Sequence, residues 1–145
     1  MENKMEITKK FEFEMAHLLS NHPALCQNLH GHSYKLFVTV SGQIVDDMIT
    51  DFKELKEIVN GLVIDKLDHC FAYNENTTDA FEKEIAEVVI KHNKKNYAFS
   101  FRTTCENMSK WMFNLLNKYL QDKTYKVSKI TLYETSGSYC EYTGD

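Results

Sequence analysis

The chain has few of the residues that mark linkers and nucleic-acid surfaces. It has a single proline, Pro23, and neither repeats nor low-complexity stretches, so nothing in its 145 residues resembles a linker. We therefore expect residues 1–145 to form one domain. It also has a single arginine, Arg102, and a net charge of −4, so nothing indicates a nucleic-acid partner.

Signals for membranes and for disulfides are also missing. No apolar stretch is long enough to span a bilayer, and the polar, charged N-terminus does not resemble a signal peptide. The spacings of the cysteines match no C-x-x-C zinc or redox motif; they are Cys26, Cys70, Cys105 and Cys140. We expect a cytoplasmic protein with reduced thiols and no membrane partner.

The most informative segment present is Cys26-Gln27-Asn28-Leu29-His30-Gly31-His32, followed by a strand pattern. Alternate residues of a strand point to one face, so His30 and His32 should aim their imidazoles the same way. His17 ends an earlier alternating run. If the two strands pair, three imidazoles converge, as in catalytic zinc sites with one open position. The alternative is a pair of histidines that pack or face solvent without a metal.

Other residues near these histidines can perform chemistry. Cys26 can act as a thiolate base or nucleophile, or as a fourth zinc ligand in a closed structural site. Asp68-His69 is an adjacent carboxylate–imidazole pair that suits acid–base catalysis, or simply a surface pair in a loop. Glu106 and Glu134 can bind a cationic or amide-bearing ligand; alternatively, Glu106 is a helix cap and Glu134 a solvated turn residue.

The periodicity of apolar residues indicates an α+β fold. Helical stripes follow Asp51, which with Glu54 resembles a capping box, and Thr103 or Thr104. A third helix is predicted over 79–93. Alternation predicts strands over 5–16, 32–41, 97–101, 125–133 and 138–143. Strands at both ends and helices between them favour an antiparallel sheet covered on one face by helices. The exposed edges of such a sheet favour oligomerisation.

Six short motifs occur in one order along nearly the whole chain: Phe13-Glu14-Met15-Ala16-His17; Cys26-x3-His30-Gly31-His32; Thr50 to Lys56; Leu67-Asp68-His69; Thr104-Cys105-Glu106-Asn107; and Tyr133-Glu134-Thr135. Together they resemble the 6-pyruvoyltetrahydropterin synthase / 6-carboxytetrahydropterin synthase family. The resemblance implies the tunnelling fold, a four-stranded antiparallel sheet with helices on one face. It also implies trimers that close the sheets into a barrel, and a hexamer made of two trimers.

The resemblance also assigns the site residues. His17, His30 and His32 would bind zinc, Cys26 would abstract a proton, and Asp68 with His69 would form an acid–base relay. Glu134 would anchor the pterin ring, helped by the Thr104–Glu106 segment.

The implied substrate is 7,8-dihydroneopterin triphosphate. The three-residue gap between Cys26 and His30 resembles the branch that forms 6-carboxy-5,6,7,8-tetrahydropterin, acetaldehyde and triphosphate, as in queuosine biosynthesis. Three alternatives stay open. They are a 6-pyruvoyltetrahydropterin synthase, another tunnelling-fold pterin enzyme of the aldolase type, and a zinc- or pterin-binding module without catalysis.

Overall fold

A computed structural model describes residues 5–145. The strands are β1 (Glu6–His17), β2 (His30–Gly42), β3 (Cys70–Asn74), β4 (Asn96–Phe99), β5 (Tyr125–Thr135) and β6 (Ser138–Tyr142). The helices are α1 (Phe52–Val59), α2 (Asp65–Leu67), α3 (Ala80–Lys91) and α4 (Cys105–Tyr119). A 3₁₀ turn occupies Leu25–Gln27, and a π-helical segment, Asn60–Ile64, joins α1 to α2. None of the helices in the described part of the chain has the length and apolar character needed to cross a bilayer.

The strands form one mixed sheet in the order β4-β3-β1-β2-β5-β6. The pairs β1–β2, β2–β5 and β5–β6 are antiparallel, whereas β1–β3 and β3–β4 are parallel. The expectation of a four-stranded antiparallel sheet was therefore wrong in strand number and in direction. The four antiparallel strands correspond to the strands predicted over 5–16, 32–41, 125–133 and 138–143. Two parallel strands, β3 and β4, extend the sheet beyond β1.

The unexpected strand β3 has a physical explanation. Its first three residues, Cys70, Phe71 and Ala72, are all apolar and all buried. A strand covered on both faces lacks the alternation of apolar and polar residues that reveals a half-exposed strand. The alternating run that begins at Tyr97 does form a strand, β4, and it pairs with β3 in parallel.

The core lies between one face of the central strands and the helices α1 and α4. Phe13 of β1 stacks on Tyr34 of β2, with ring centroids 4.9 Å apart. On α4, Met108, Met112 and Leu116 are fully buried, which confirms the helical pattern predicted after residue 104. Packing of this apolar stripe holds α4 against β5 and β6.

The helix after Asp51 accommodates an apolar stripe with a spacing of four residues. Leu55, Val59, Val63 and Leu67 are fully buried at this spacing. A regular helix has 3.6 residues per turn, so a four-residue stripe drifts around its surface. The wider π-helical segment offsets this drift and keeps the stripe facing the core.

The capping box predicted for this helix forms only in part. The Asp51 side chain accepts a hydrogen bond from Lys53 N and caps the helix, as predicted. The carboxylate of Glu54 accepts instead from Thr50 Oγ1 and Tyr125 Oη, both at 2.7 Å. Glu54 therefore bonds to Thr50 and to β5 and does not complete the capping box.

Candidate active site

The three predicted metal ligands converge where β1 ends and β2 begins. The β1–β2 register pairs His17 with His30 and Met15 with His32. The ring centroids are 4.7 Å apart for His17–His30, 4.8 Å for His30–His32 and 5.4 Å for His17–His32. One ring nitrogen from each residue lies within 4.8 Å of the others. The geometric prediction that pairing of the two strands brings the imidazoles together is confirmed.

Hydrogen bonds fix the orientation of two of the rings. Nδ1 of His17 lies 3.0 Å from the carbonyl oxygen of Thr103 and 3.1 Å from its hydroxyl. Nδ1 of His30 lies 2.7 Å from the carbonyl oxygen of Asn28. Because a carbonyl can only accept, each Nδ1 carries the proton and each Nε2 presents a lone pair. Both Nε2 atoms are buried, without a hydrogen-bond partner among the described residues.

The protonation of the cluster also suits a metal. The pKa of His17 is lowered from 6.5 to about 4, mainly by burial and in part by the neighbouring His30. Burial likewise lowers the pKa of His32, despite the opposing effect of Glu134. Neutral imidazoles are the form that binds zinc, and a ring N–H held by a carbonyl is the usual outer support. His17 and His30 have this support, and together with His32 they place three imidazole nitrogens where they fit a catalytic zinc ion with an open fourth position.

Glu134 lies next to this cluster. Its Oε1 is 3.0 Å from Nε2 of His32. Glu134 and Glu106 line the same cavity of about 330 Å³ between the start of α4 and the β5–β6 hairpin, together with Cys105, Ser138, Tyr139 and Cys140. The structure thus brings together the two carboxylates that the sequence suggested for ligand binding. The side chain of Thr104 caps α4 by accepting from Asn107 N, and it adjoins this cavity without lining it.

Cys26 lies in the 3₁₀ turn that precedes β2, and it is partly exposed. It is not among the residues whose ligand atoms converge within 4.8 Å. Hydrogen bonds within the loop and from a distant residue hold it in place. Leu19 N donates to the carbonyl of Cys26 at 2.8 Å, and Arg102 Nε donates to the carbonyl of Ser20 at 3.0 Å. The only arginine of the chain therefore anchors the loop that carries the thiol.

Asp68 and His69 form the expected pair beside β1. Oδ1 of Asp68 is 2.9 Å from Nδ1 of His69 and also accepts from the backbone N–H of Glu14. That hydrogen bond is the main cause of a lowered Asp68 pKa. His69 has a left-handed backbone (φ 66°), and its N–H donates to the carbonyl of Glu14. The carboxylate is thus held ionised and directed at the imidazole.

The pair and the histidine cluster flank β1 and β2 from different sides. His69 lines a concavity of about 330 Å³ with Glu14, Ser33 and neighbouring backbone. The side chains of Glu14 and Ser33 extend from the face opposite to His17 and His32, although His32 also borders the concavity. One chain therefore does not bring His69 and the cluster onto a single face. A separate cavity of about 940 Å³, between the end of α4 and the start of β5, contains none of the predicted site residues.

Two residues at the site were not predicted. Thr103 was considered only as a helix cap, yet it supports His17. Tyr34 lies next to His32 on the core face, with ring centroids 5.6 Å apart, and its buried hydroxyl has no hydrogen-bond partner among the described residues. The alternation His30, His32, Tyr34 was a signal that could have placed Tyr34 there.

Comparisons with known proteins bear on this geometry. Residues 6–145 match the family model described as 6-pyruvoyl tetrahydropterin synthase. The 6-carboxy-5,6,7,8-tetrahydropterin synthase of Haemophilus influenzae is 42% identical over 142 residues, which cover 94% of this chain and 97% of that protein. The protein of the same name from Aquifex aeolicus is 33% identical over 96% of this chain and 98% of its own length.

Solved structures share the fold. An uncharacterized protein from Wolinella succinogenes superposes with a TM-score of 0.81 at 21% identity, covering 97% of this chain and 98% of that one. The 6-pyruvoyl tetrahydropterin synthase of Caenorhabditis elegans superposes with a TM-score of 0.69 at 22% identity, covering 97% and 96%. At these identities the likeness concerns the fold alone.

Proposed function

The chain belongs to the 6-pyruvoyl tetrahydropterin synthase family, and we propose that it is a zinc-dependent lyase acting on 7,8-dihydroneopterin triphosphate. The products would be 6-carboxy-5,6,7,8-tetrahydropterin, acetaldehyde and triphosphate, on the route to queuosine in the cytoplasm. The observation that carries this proposal is the convergence of three imidazoles beside the carboxylate of Glu134. The identity of 42% to a relative named for that product supports the choice of product.

His17, His30 and His32 would hold the zinc ion through their Nε2 atoms. When bound, zinc supplies a Lewis acid that acidifies the substrate side chain next to its hydroxyl oxygens. The chain's own contribution is to keep these nitrogens unprotonated and oriented through the carbonyls of Thr103 and Asn28.

Glu134 would recognise the pterin ring. A carboxylate can accept hydrogen bonds from two neighbouring N–H groups of a ligand, so Glu134 can bind the ring amino group and an adjacent ring N–H. In this structure the carboxylate contacts the nitrogen of His32 that would bind zinc. A carboxylate only accepts, so this contact needs a proton on Nε2 of His32, and the same nitrogen cannot then hold a metal ion. In the zinc-loaded protein Glu134 would therefore be free to face the cavity it shares with Glu106. Thr104 would contribute indirectly, because its cap fixes the first turn of α4 and with it Glu106.

Cys26 and His69 would move protons. The thiolate of Cys26 would remove the carbon-bound proton beside the side-chain hydroxyl. Nδ1 of His69 faces Asp68, so its Nε2 is left to exchange a proton with the substrate. The ionised Asp68 stabilises the protonated imidazole and fixes its orientation.

A complete site would need more than one copy of the chain. His69 and the cluster lie on different faces of β1–β2, so a neighbouring copy would supply the relay. The strands β4 and β6 form the two edges of the sheet and can pair with other chains. We propose trimers that close the sheets into a barrel, and a hexamer of two trimers.

Product analysis tests the function. Zinc-loaded protein is incubated anaerobically with 7,8-dihydroneopterin triphosphate, and the products are identified by mass spectrometry. We expect 6-carboxytetrahydropterin and acetaldehyde in equal amounts. A 6-pyruvoyl product without acetaldehyde would assign the other activity of the family to the same residues. Bound zinc without turnover would favour a binding module and contradict the proposal.

A further inference from the structure

Two cysteines lie side by side in the wall of the cavity that holds Glu106 and Glu134. Cys105, the first residue of α4, and Cys140, in β6, place their sulfur atoms 3.2 Å apart. The bond of a disulfide measures about 2.05 Å, so the two atoms need to approach by only about 1.2 Å. The two residues are 35 positions apart in sequence, so the tertiary structure brings them together.

The two thiols have different polar neighbours. The Ser109 hydroxyl lies 2.9 Å from Cys140 Sγ, and Cys105 Sγ donates to the carbonyl of Leu132 at 3.2 Å. The contact with Cys105 lowers the pKa of the Cys140 thiol, and the contact with Cys140 raises the pKa of the Cys105 thiol, so Cys140 forms a thiolate more readily. A thiolate next to a thiol is the arrangement that reacts with oxidants and then closes a disulfide. Cys140 is partly exposed, whereas Cys105 is 7% exposed, so an oxidant meets Cys140 first.

We propose that Cys105 and Cys140 form a reactive dithiol that a hydroperoxide oxidises to an intramolecular disulfide in the wall of the Glu106–Glu134 cavity. The thiolate of Cys140 attacks the terminal peroxide oxygen, forms an S–O bond and breaks the O–O bond. The leaving oxygen takes a proton and departs as water or an alcohol. The sulfur of Cys105 then attacks Cys140, forms the S–S bond and displaces the second oxygen as water, with the thiol proton transferred to it. Two sulfur atoms are oxidised by two electrons in total, and the peroxide is reduced by two.

The cross-link would tie the start of α4 to β6. Cys140 pairs with Leu132 in the β5–β6 register, and Leu132 lies two residues before Glu134 in β5. The disulfide would therefore fix the distance between the two walls of the cavity. Closing a loop of this length should raise the Tm by about 5–15 °C relative to the reduced protein.

The experiment uses the full chain treated with stoichiometric hydrogen peroxide, quenched, and then alkylated with N-ethylmaleimide in denaturant, because Cys70 and Cys105 are buried in the folded protein. We expect the intact mass to show two alkylated thiols instead of four. Peptide mapping without reductant should show one cross-linked pair that contains Cys105 and Cys140. Dithiothreitol should restore four alkylations and the lower Tm. These readouts do not depend on turnover, so they remain valid if the proposed function fails.

Two variants provide the controls. Cys140→Ser should abolish the cross-link and the Tm rise, whereas Cys70→Ala removes a thiol outside the pair and should retain both. A Cys140 that is oxidised to sulfinic acid without cross-linking would overturn the proposal. Disulfides between chains, or a Cys105–Cys140 bond that forms only in denaturant, would overturn it as well. The mapping of the wild-type protein is decisive even if a variant does not fold.

Discussion

Thr103 provides a sharp test of how the chain prepares its metal site. Its carbonyl and its hydroxyl both contact Nδ1 of His17, at 3.0 Å and 3.1 Å. The substitution Thr103→Val keeps the shape of the side chain and the carbonyl but removes the hydroxyl. Because the carbonyl still fixes the tautomer of His17, zinc should bind with reduced affinity but should not be lost.

The magnitude follows from the lost contact with His17, since the other hydrogen bond of the hydroxyl, to the carbonyl of Leu18 at 3.5 Å, does not involve a metal ligand. One neutral hydrogen bond contributes about 0.5–1.5 kcal/mol, which corresponds to a fall in zinc affinity of about 2–10-fold. Complete loss of an outer partner of a metal ligand costs about 10–100-fold. The remaining carbonyl should keep the variant at or below the lower end of that range.

Competition with a chromophoric zinc chelator measures this effect. The matched control is Thr104→Val, which removes the neighbouring hydroxyl that caps α4 but does not contact His17. It should lower the free energy of unfolding by about 1 kcal/mol and leave zinc affinity unchanged. An unchanged affinity in Thr103→Val, an equal loss in both variants, or a loss beyond about 100-fold would refute the reasoning.

Four further predictions follow from the same geometry. In metal-free protein the free energy of unfolding should fall by about 3 kcal/mol as pH falls from 6.5 to 4. The reason is that His17 binds a proton in the unfolded chain over this range, whereas in the folded chain its pKa is about 4. Urea titrations should show this fall, and the variant His17→Gln should lack most of it. The pKa of Glu54 is lowered to about 2, mainly by the hydrogen bond from Tyr125. The ionised Glu54 therefore contributes fully to stability above pH 4.5, and this contribution is lost as pH falls toward 2. The variant Tyr125→Phe should raise the Glu54 pKa in an NMR titration. Cys26→Ala should retain zinc and lower kcat by about 10²–10⁴-fold, whereas zinc loss would make Cys26 a ligand. Glu134→Ala should raise KM about 10–100-fold while zinc stays bound, and a wild-type KM would contradict its role as the anchor.

Much of the fold could be predicted from local patterns. The stripe of α4 and the cap at Thr104 are short-range signals, since helix periodicity and capping involve neighbours within a few residues. β3 was not predicted, because it is buried on both faces and has no alternation to reveal it. The acceptor role of Glu54 was not predicted either, because Tyr125 is 71 residues away in sequence.

The site shows the same division. The alternation through His30 and His32, with His17 at the end of the preceding strand, was sufficient to predict the cluster, since antiparallel pairing of neighbouring strands follows from local geometry. The support from Thr103 lies 86 residues from His17, and no local pattern encodes it. The position of Asp68 and His69 beside Glu14 depends on a parallel pairing that the sequence does not reveal.

The sequence by itself determined the ligand types, their spacing along the strands and the family, because each of these depends on residues close together in the chain. Only the tertiary structure decided the remaining features: the neutral state of His17, the contact between His32 and Glu134, the separation of His69 from the cluster, and the approach of Cys105 to Cys140. These depend on burial and on contacts between distant segments, and such contacts exist only once the core has packed.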